Sequence, residues 1–214
     1  MPQSDADRTP TKGERTAARI LDEAEKRFAQ QGYDRTTLRQ IADAAGIREP
    51  GLYNHFASKQ ALYEAVLDRA LTPMAEVMDK HLLRADSLRD YTDLPAVMTD
   101  LLLDHPQMAA LFQQALQGDQ DSVGNQMMAR WLERLLNQGM DNMERLRRLH
   151  PAGSSDQDRA TLSINLIAMF NLTTGYFLSQ RAFAALTEGH LQDPDNIARQ
   201  KALLHKVIRA MLVG

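Results

Sequence analysis

Cysteine is absent from all 214 residues, which removes disulfides, thiolate metal sites and cysteine nucleophiles at once. The simplest compartment for such a chain is a reducing one, so a cytoplasmic location is expected. Residues 1–14 are polar and hold no apolar signal core, and nowhere is a run of about 18 apolar residues without a charge expected. Neither secretion nor a membrane span follows from that pattern. A strong charge of one sign is also lacking: the net charge is −3, with +1 over residues 1–60 and −4 in the rest. A protein that coats nucleic acid indiscriminately would be far more basic, although the sign of the asymmetry permits a nucleic-acid face near the N-terminus. Glycine-rich phosphate loops, zinc motifs and activated nucleophile arrangements are missing as well, so no enzyme and no cofactor is expected. His81, His105 and His150 lack ligand spacing and argue against a metal, while Asp119, Asp121, Glu188 and His190 read as solvated loop charges.

Strand-like alternation is the last absence, and what replaces it is helical periodicity from end to end. Residues 1–13, with Pro2, Pro10 and Gly13, cannot offset their ordering entropy by burial and read as an arm. Ala17, Ile20, Leu21, Ala24 and Phe28 then recur at three- and four-residue steps and predict a helix stopping at Gly32. Thr37, with Gln40 three residues on, has the reciprocal capping pattern of a second helix, which ends at Gly46. Pro50 fits the first turn of a third, two-turn helix whose Leu52 and Phe56 share its inner side. Ser58 is placed to cap a fourth, in which Pro73 predicts a kink or break. Further helices are expected at about 90–104, 106–117, 122–149, 156–187 and 194–212.

The second and third helices, joined at Gly46, make a helix-turn-helix, in which the second helix lies in the DNA major groove. Its outward face would present Arg48, Glu49, Gly51, Tyr53, Asn54 and His55, a set rich in groups that bond base edges and phosphates. Phe28 before Gly32-Tyr33, Thr36-Thr37 before Ile41-Ala42, Ala45-Gly46, Leu52-Tyr53, His55-Phe56 and Ser58-Lys59 are spaced as in one known family. Over Ile20–Leu67 the sequence resembles the N-terminal domain of TetR-family transcriptional regulators. That resemblance implies an all-α fold: a three-helix helix-turn-helix domain at 14–60 and a larger effector-binding and dimerisation domain at 61–214. It also implies roles: Glu49, Pro50, Gly51, Asn54 and His55 near base edges, Tyr53, His55 and Lys59 at phosphates, and Thr37 with free N–H groups near the backbone. Arg48 departs from the family's frequent Ser, losing a helix cap and gaining a guanidinium for guanine or phosphate. Competing readings have Tyr53 packing the motif and His55 bridging within the fold.

The same resemblance implies a repressor that binds a palindromic operator in double-stranded DNA as a homodimer and is released by a small hydrophobic effector. The dimer surface is expected on the last two long helices, at Ile164, Ile167, Asn171, Leu172, Gly175, Leu178, Leu204 and Ile208. Met74, Met78, Met98, Met108, Met127, Met128, Met140, Met143 and Met169 all follow the first domain and suit an adaptable apolar cavity. Met78, Met108, Met127, Phe112, Trp131, Phe170 and Tyr176 are the expected lining, with ordinary core as the competing reading. A fold used mainly for protein–protein interaction is the alternative function.

Overall fold

The computed structural model describes residues 9–84, 88–117, 119–149 and 158–213. Ten α-helices cover the described residues, which contain no strand. Most of the expected arm lies outside the described residues, and α1 (Lys12–Arg35) begins earlier than its apolar pattern, because Thr11 and Glu14 cap each other reciprocally. The Thr11 N–H donates to Glu14 Oε2 at 2.6 Å and the Glu14 N–H to Thr11 Oγ1 at 3.2 Å. Ile20, Ala24 and Phe28 form its buried stripe. Helical geometry is interrupted at Gly32, where φ is +82°, and the chain then turns on Thr36, whose hydroxyl donates to the Gly32 carbonyl at 2.7 Å.

Helices α2 (Leu38–Ala44) and α3 (Glu49–Leu52) follow, and α4 (Lys59–Arg84) leads from them into the rest of the molecule. Ser58 Oγ accepts the Ala61 N–H at 3.0 Å and so caps α4. Its first half is fastened to α1 twice. Leu62, Val66 and Leu71 lie in the core shared with Phe28, and Arg69 donates to Asp22 Oδ1 at 2.6 Å and Glu25 Oε2 at 2.5 Å. Of the kink or break expected at Pro73, a break is ruled out: α4 continues through it as one helix, as α5 (Leu88–Asp104) does through Pro95. Buried packing of Leu71 and Met74 on either side of Pro73 offsets the lost hydrogen bond.

Helices α6 (Gln107–Gln117) and α7 (Val123–Leu149) pack on α1 and on each other, and α8 (Arg159–Leu178) lies against α5, α6 and α7. The long helix expected at 156–187 is divided at Ser179 into α8 and α9 (Gln180–Leu186). Ser179 Oγ donates back to the Gly175 carbonyl at 2.7 Å, a side-chain bond that competes with the helix ladder and helps end it there. Helix α10 (Pro194–Val213) closes the bundle on α5 and α8. Among the described helices α8 stands apart in composition, although Thr161, Ser163, Asn165, Asn171 and Thr173 interrupt its apolar residues. By length and composition it is the one described helix apolar enough to cross a membrane, with mean hydropathy 1.2.

Candidate nucleic-acid interface

The turn between α2 and α3 is built by backbone bonds and one glycine. The Ile47 N–H reaches back to the Ala42 carbonyl at 3.0 Å and the Ala45 N–H to Ile41 at 2.8 Å, closing the end of α2 over Gly46. Gly46 adopts φ +66°, a left-handed conformation that a β-carbon opposes. Beyond it α3 is shorter than the two turns expected: regular helix ends at Leu52, and the chain continues in turns to His55, whose N–H donates to the Leu52 carbonyl at 2.9 Å. Gly51 and Asn54 are poor helix formers, which fits the early end.

The inner side of this segment is apolar. Leu52 is fully buried and Phe56 packs against the core. Outward lie Arg48, Pro50, Tyr53 and Asn54, all exposed, with Tyr53 52% accessible, while Glu49, Gly51 and His55 are half-buried. Arg48 sits at the N-cap of α3 and makes no capping bond. Around α3 the Arg48 guanidinium, Tyr53 hydroxyl and Asn54 amide thus stand on a polar face, suited to donating to a polyanion and its base edges, where the Glu49 carboxylate could only accept from a base amino group.

Two of the sequence-predicted residues are more engaged than expected. Thr37 is exposed, but its own N–H is not free. It donates to Gln40 Oε1 at 2.9 Å, while Thr37 Oγ1 accepts the Gln40 N–H at 3.2 Å. Lys59 is half-buried, with Nζ donating to the Asp34 carbonyl at 3.2 Å and standing 4.2 Å from the centre of the Tyr33 ring. Burial pushes its ammonium below the ordinary lysine value. Tyr33 in turn belongs to an aromatic cluster with Phe28 and Tyr63, the centroids 4.8 to 5.9 Å apart. Tyr33 was marked in the sequence as part of the Gly32-Tyr33 motif but not as a neighbour of Lys59, and the Asp34 carbonyl carried no signal at all.

In the larger body, a cavity of about 70 Å³ opens between α5, α7 and α8, lined by Leu94, Pro95, Met98, Leu135, Leu136, Gly139, Leu166, Met169, Phe170, Thr173 and Thr174. Of the seven residues expected as lining Phe170 is there, joined by Met98 and Met169 from the wider methionine set. Met108 and Phe112 are buried in the core, Phe112 against Trp131 and Phe170 with ring centres 5.7 and 5.4 Å away. Met127 and Trp131 border a separate polar cleft beside α4, and the Tyr176 hydroxyl donates to the Leu191 carbonyl. The Met78 side chain lies outside the described residues. The missed residues share helical spacing, Leu135, Leu136 and Gly139 on α7 and Leu166, Thr173 and Thr174 on α8, but a sequence does not say which of two apolar helix faces meets a void. Both threonine hydroxyls donate to carbonyls of their own helix, Thr173 to Met169 at 2.9 Å and Thr174 to Phe170 at 2.8 Å, so neither has its proton free for the cavity.

On α8, Ile164, Ile167, Leu172 and Leu178 are exposed, with Ile164 66% accessible; Asn171 is exposed beside them and Gly175 half-buried. Leu204 and Ile208 correct the expectation for α10. They are 1% and 0% accessible, because their stripe faces α5 and α8 of the same chain. One stripe cannot serve two partners.

The family model of bacterial regulatory proteins, tetR family, matches residues 20–66, which span α1 from Ile20, the helix-turn-helix and the first turns of α4. The HTH-type transcriptional regulator TtgR of Pseudomonas putida is 38% identical over 96 residues, 45% of this chain and 43% of that protein. The aligned region therefore spans less than half the length of that relative. Two solved structures share the fold over nearly the whole chain. A TetR-family transcriptional regulator from Bordetella parapertussis has a TM-score of 0.69 at 16% identity, covering 94% of this chain and 96% of that one. FadR from Bacillus subtilis, in complex with stearoyl-CoA, has a TM-score of 0.66 at 16% identity, covering 92% and 98%. Residues 20–66 thus carry the N-terminal domain of the tetR family of bacterial regulatory proteins, and the helices of the whole chain are arranged as in those structures.

Proposed function

We propose that this protein is a cytoplasmic, ligand-responsive transcriptional repressor that binds a palindromic DNA operator as a homodimer. The observation that carries the reading is the segment Arg48–Phe56, which buries Leu52 and turns Arg48, Tyr53 and Asn54 outward on a short element beside a helix-turn-helix corner. Arg, Tyr and Asn are the side chains that bond guanine, phosphate and adenine. A single element of this size reads only a few base pairs, so specificity calls for two half-sites about 34–36 Å apart. The exposed apolar face of α8 supplies a surface for a second copy.

Dispersion and the hydrophobic effect select the effector. The cavity is bounded by aliphatic side chains, Met98, Met169 and Phe170, with its two hydroxyl protons already committed, so an apolar ligand is favoured. At about 70 Å³ it is far below the roughly 300–1,000 Å³ of a ligand pocket, so entry requires α5, α7 and α8 to part. That movement is what would change the separation of the two recognition elements. The fold neighbour FadR holds stearoyl-CoA, which makes long acyl chains the first ligands to try.

The test is attachment of the purified protein to a DNA fragment from upstream of its own gene, across a salt series, with and without acyl-CoA. Salt-sensitive binding that weakens with ligand supports the reading. No salt-sensitive binding to that fragment or to any duplex selected from a random pool sinks it.

A further inference from the structure

The start of α7 lies unusually close to the helix-turn-helix. A β-carbon placed on Gly124 would stand 2.3 Å from Cβ and 2.6 Å from Cγ of Tyr33, far inside any real contact. Only glycine lets the α7 backbone approach that ring. Nearby, Gln114 Nε2 of α6 donates to the Ala29 carbonyl of α1 at 2.5 Å, so the α6–α7 corner is fastened to the end of α1 at a second point. Tyr33 is thus met at its Cβ and Cγ by α7, while its ring carries the Lys59 ammonium at 4.2 Å. An ammonium has three donors. One goes to the Asp34 carbonyl and one side of the group rests on the ring, which fixes the head and leaves donor capacity for an anion.

We propose that Tyr33 is the positioning residue for Lys59 at the DNA backbone, and that the first turn of α7, through Gly124, sets where Tyr33 stands. The inference deepens the repressor reading and rests on it. It gives the cavity a second path to the DNA face besides α4. Leu135, Leu136 and Gly139 line the cavity and belong to the same unbroken helix as Gly124, about 16–23 Å away at 1.5 Å per residue. A ligand that shifts α7 as a rod therefore shifts the support under Tyr33, and the ammonium with it.

The experiment uses the full-length protein and a duplex that the wild type enriches from a random pool. Gly124→Ala is expected to weaken binding about tenfold and to lower the slope of log affinity against log salt by about one, the share of one phosphate contact. In a Lys59→Gln background Gly124→Ala should do almost nothing further. Equal losses in both backgrounds overturn the proposal, as does a Gly124→Ala protein that binds like the wild type. Should Gly124→Ala melt at a much lower temperature, Tyr33→Leu replaces it, keeping an apolar side chain against α7 but removing the ring face. The same slope loss and the same silence in Lys59→Gln are required of it.

A DNA-free readout separates this inference from the regulator reading. The Lys59 ε-carbon resonance, and the pH at which it titrates, should move toward those of a solvated lysine in Gly124→Ala. A wedge at the far end, Gly139→Val, should move the same resonance, since a β-carbon on Gly139 already meets the Leu166 methyls at 3.2 Å. An unmoved Lys59 signal in both variants overturns the path along α7 even if DNA binding is secure. A shifted signal in a wild-type fold that binds no duplex keeps the path and removes the repressor.

Discussion

Arg69→Met tests how the DNA-facing domain is held together. In the folded protein Arg69 Nη2 lies 2.5 Å from Glu25 Oε2, and the Glu25 side chain is only 8% accessible. Methionine keeps the stem of the arginine packed but leaves that carboxylate without its cation. Breaking a buried ion pair from one side costs about 3–5 kcal/mol. Arg69 is itself 29% accessible, so water replaces part of what is lost. Its bond to the open Asp22 falls in the range of roughly 0–1 kcal/mol found for surface pairs. Arg69 Nε is also buried without a hydrogen-bond partner, and that penalty disappears with the guanidinium. The balance is a loss of about 2–3 kcal/mol, or a fall in Tm of roughly 5–10 °C for a chain of this length. Urea denaturation of the single variant and of Glu25→Met with Arg69→Met measures it. The double variant should recover most of the loss, because two apolar side chains of similar volume replace a buried pair at little cost. A single variant within about 0.5 kcal/mol of the wild type, or a double variant no better than the single, refutes the reasoning.

Two glycines of the corner should part company: Gly46→Ala costs about 1–2 kcal/mol because of its φ of +66°, whereas Gly51→Ala, with open space around it, stabilises by up to about 1 kcal/mol yet weakens DNA binding, as paired melts and binding curves would show. Tyr53→Ala should leave stability within about 0.5 kcal/mol and lower the salt slope of DNA binding by about one. Ile164→Glu with Ile167→Glu should yield a folded monomer in sedimentation, while Ile208→Glu should fail to fold, since its position is wholly buried. Asp158, held below its ordinary carboxyl value mainly by the Thr161 N–H at 2.8 Å, stabilises the start of α8 above the value it has when unfolded; that contribution is lost as the pH falls through its folded value, and Asp158→Asn should flatten this acid limb of a pH–Tm curve.

What the sequence made legible follows from how local each signal is. The capping pair Thr37–Gln40, the left-handed Gly46, the proline in the first turn of α3 and the Ser58 cap are all decided within four residues, and each is in place. The break at Ser179 was not legible, because a serine reads alike whether its hydroxyl faces water or its own helix. Burial of Leu204 and Ile208 was misjudged for a related reason. Periodicity shows that a helix has an apolar face and is silent on whether that face meets its own chain or another. The cavity suffers the same ambiguity, since a methionine filling space and a methionine lining a void have identical spacing. Lys59 is the sharpest case: its position in the motif was readable, but its partners Asp34 and Tyr33 lie 25 and 26 residues away and only the fold brings them together.

The long-range contacts also bear on where a movement between the two parts would fall. Leu62, Val66, Leu71 and Arg69 bind the first half of α4 to α1, so this stretch cannot swing without tearing the core around Phe28. Pro73 follows at once, and its ring nitrogen offers no donor to the Arg69 carbonyl, which makes it the weakest point of the helix ladder. A boundary at residue 60 would place the hinge inside the most tightly packed part of the helix; one at Pro73 places it where a bond is already missing. On that geometry a bend of α4 would fall beyond the DNA-facing unit, while a shift of α7 would press on Tyr33 inside it. On the proposed function the two paths would act on different parts of the same surface, α4 on its orientation and α7 on the Lys59 ammonium, and only the second would leave the half-site spacing unchanged.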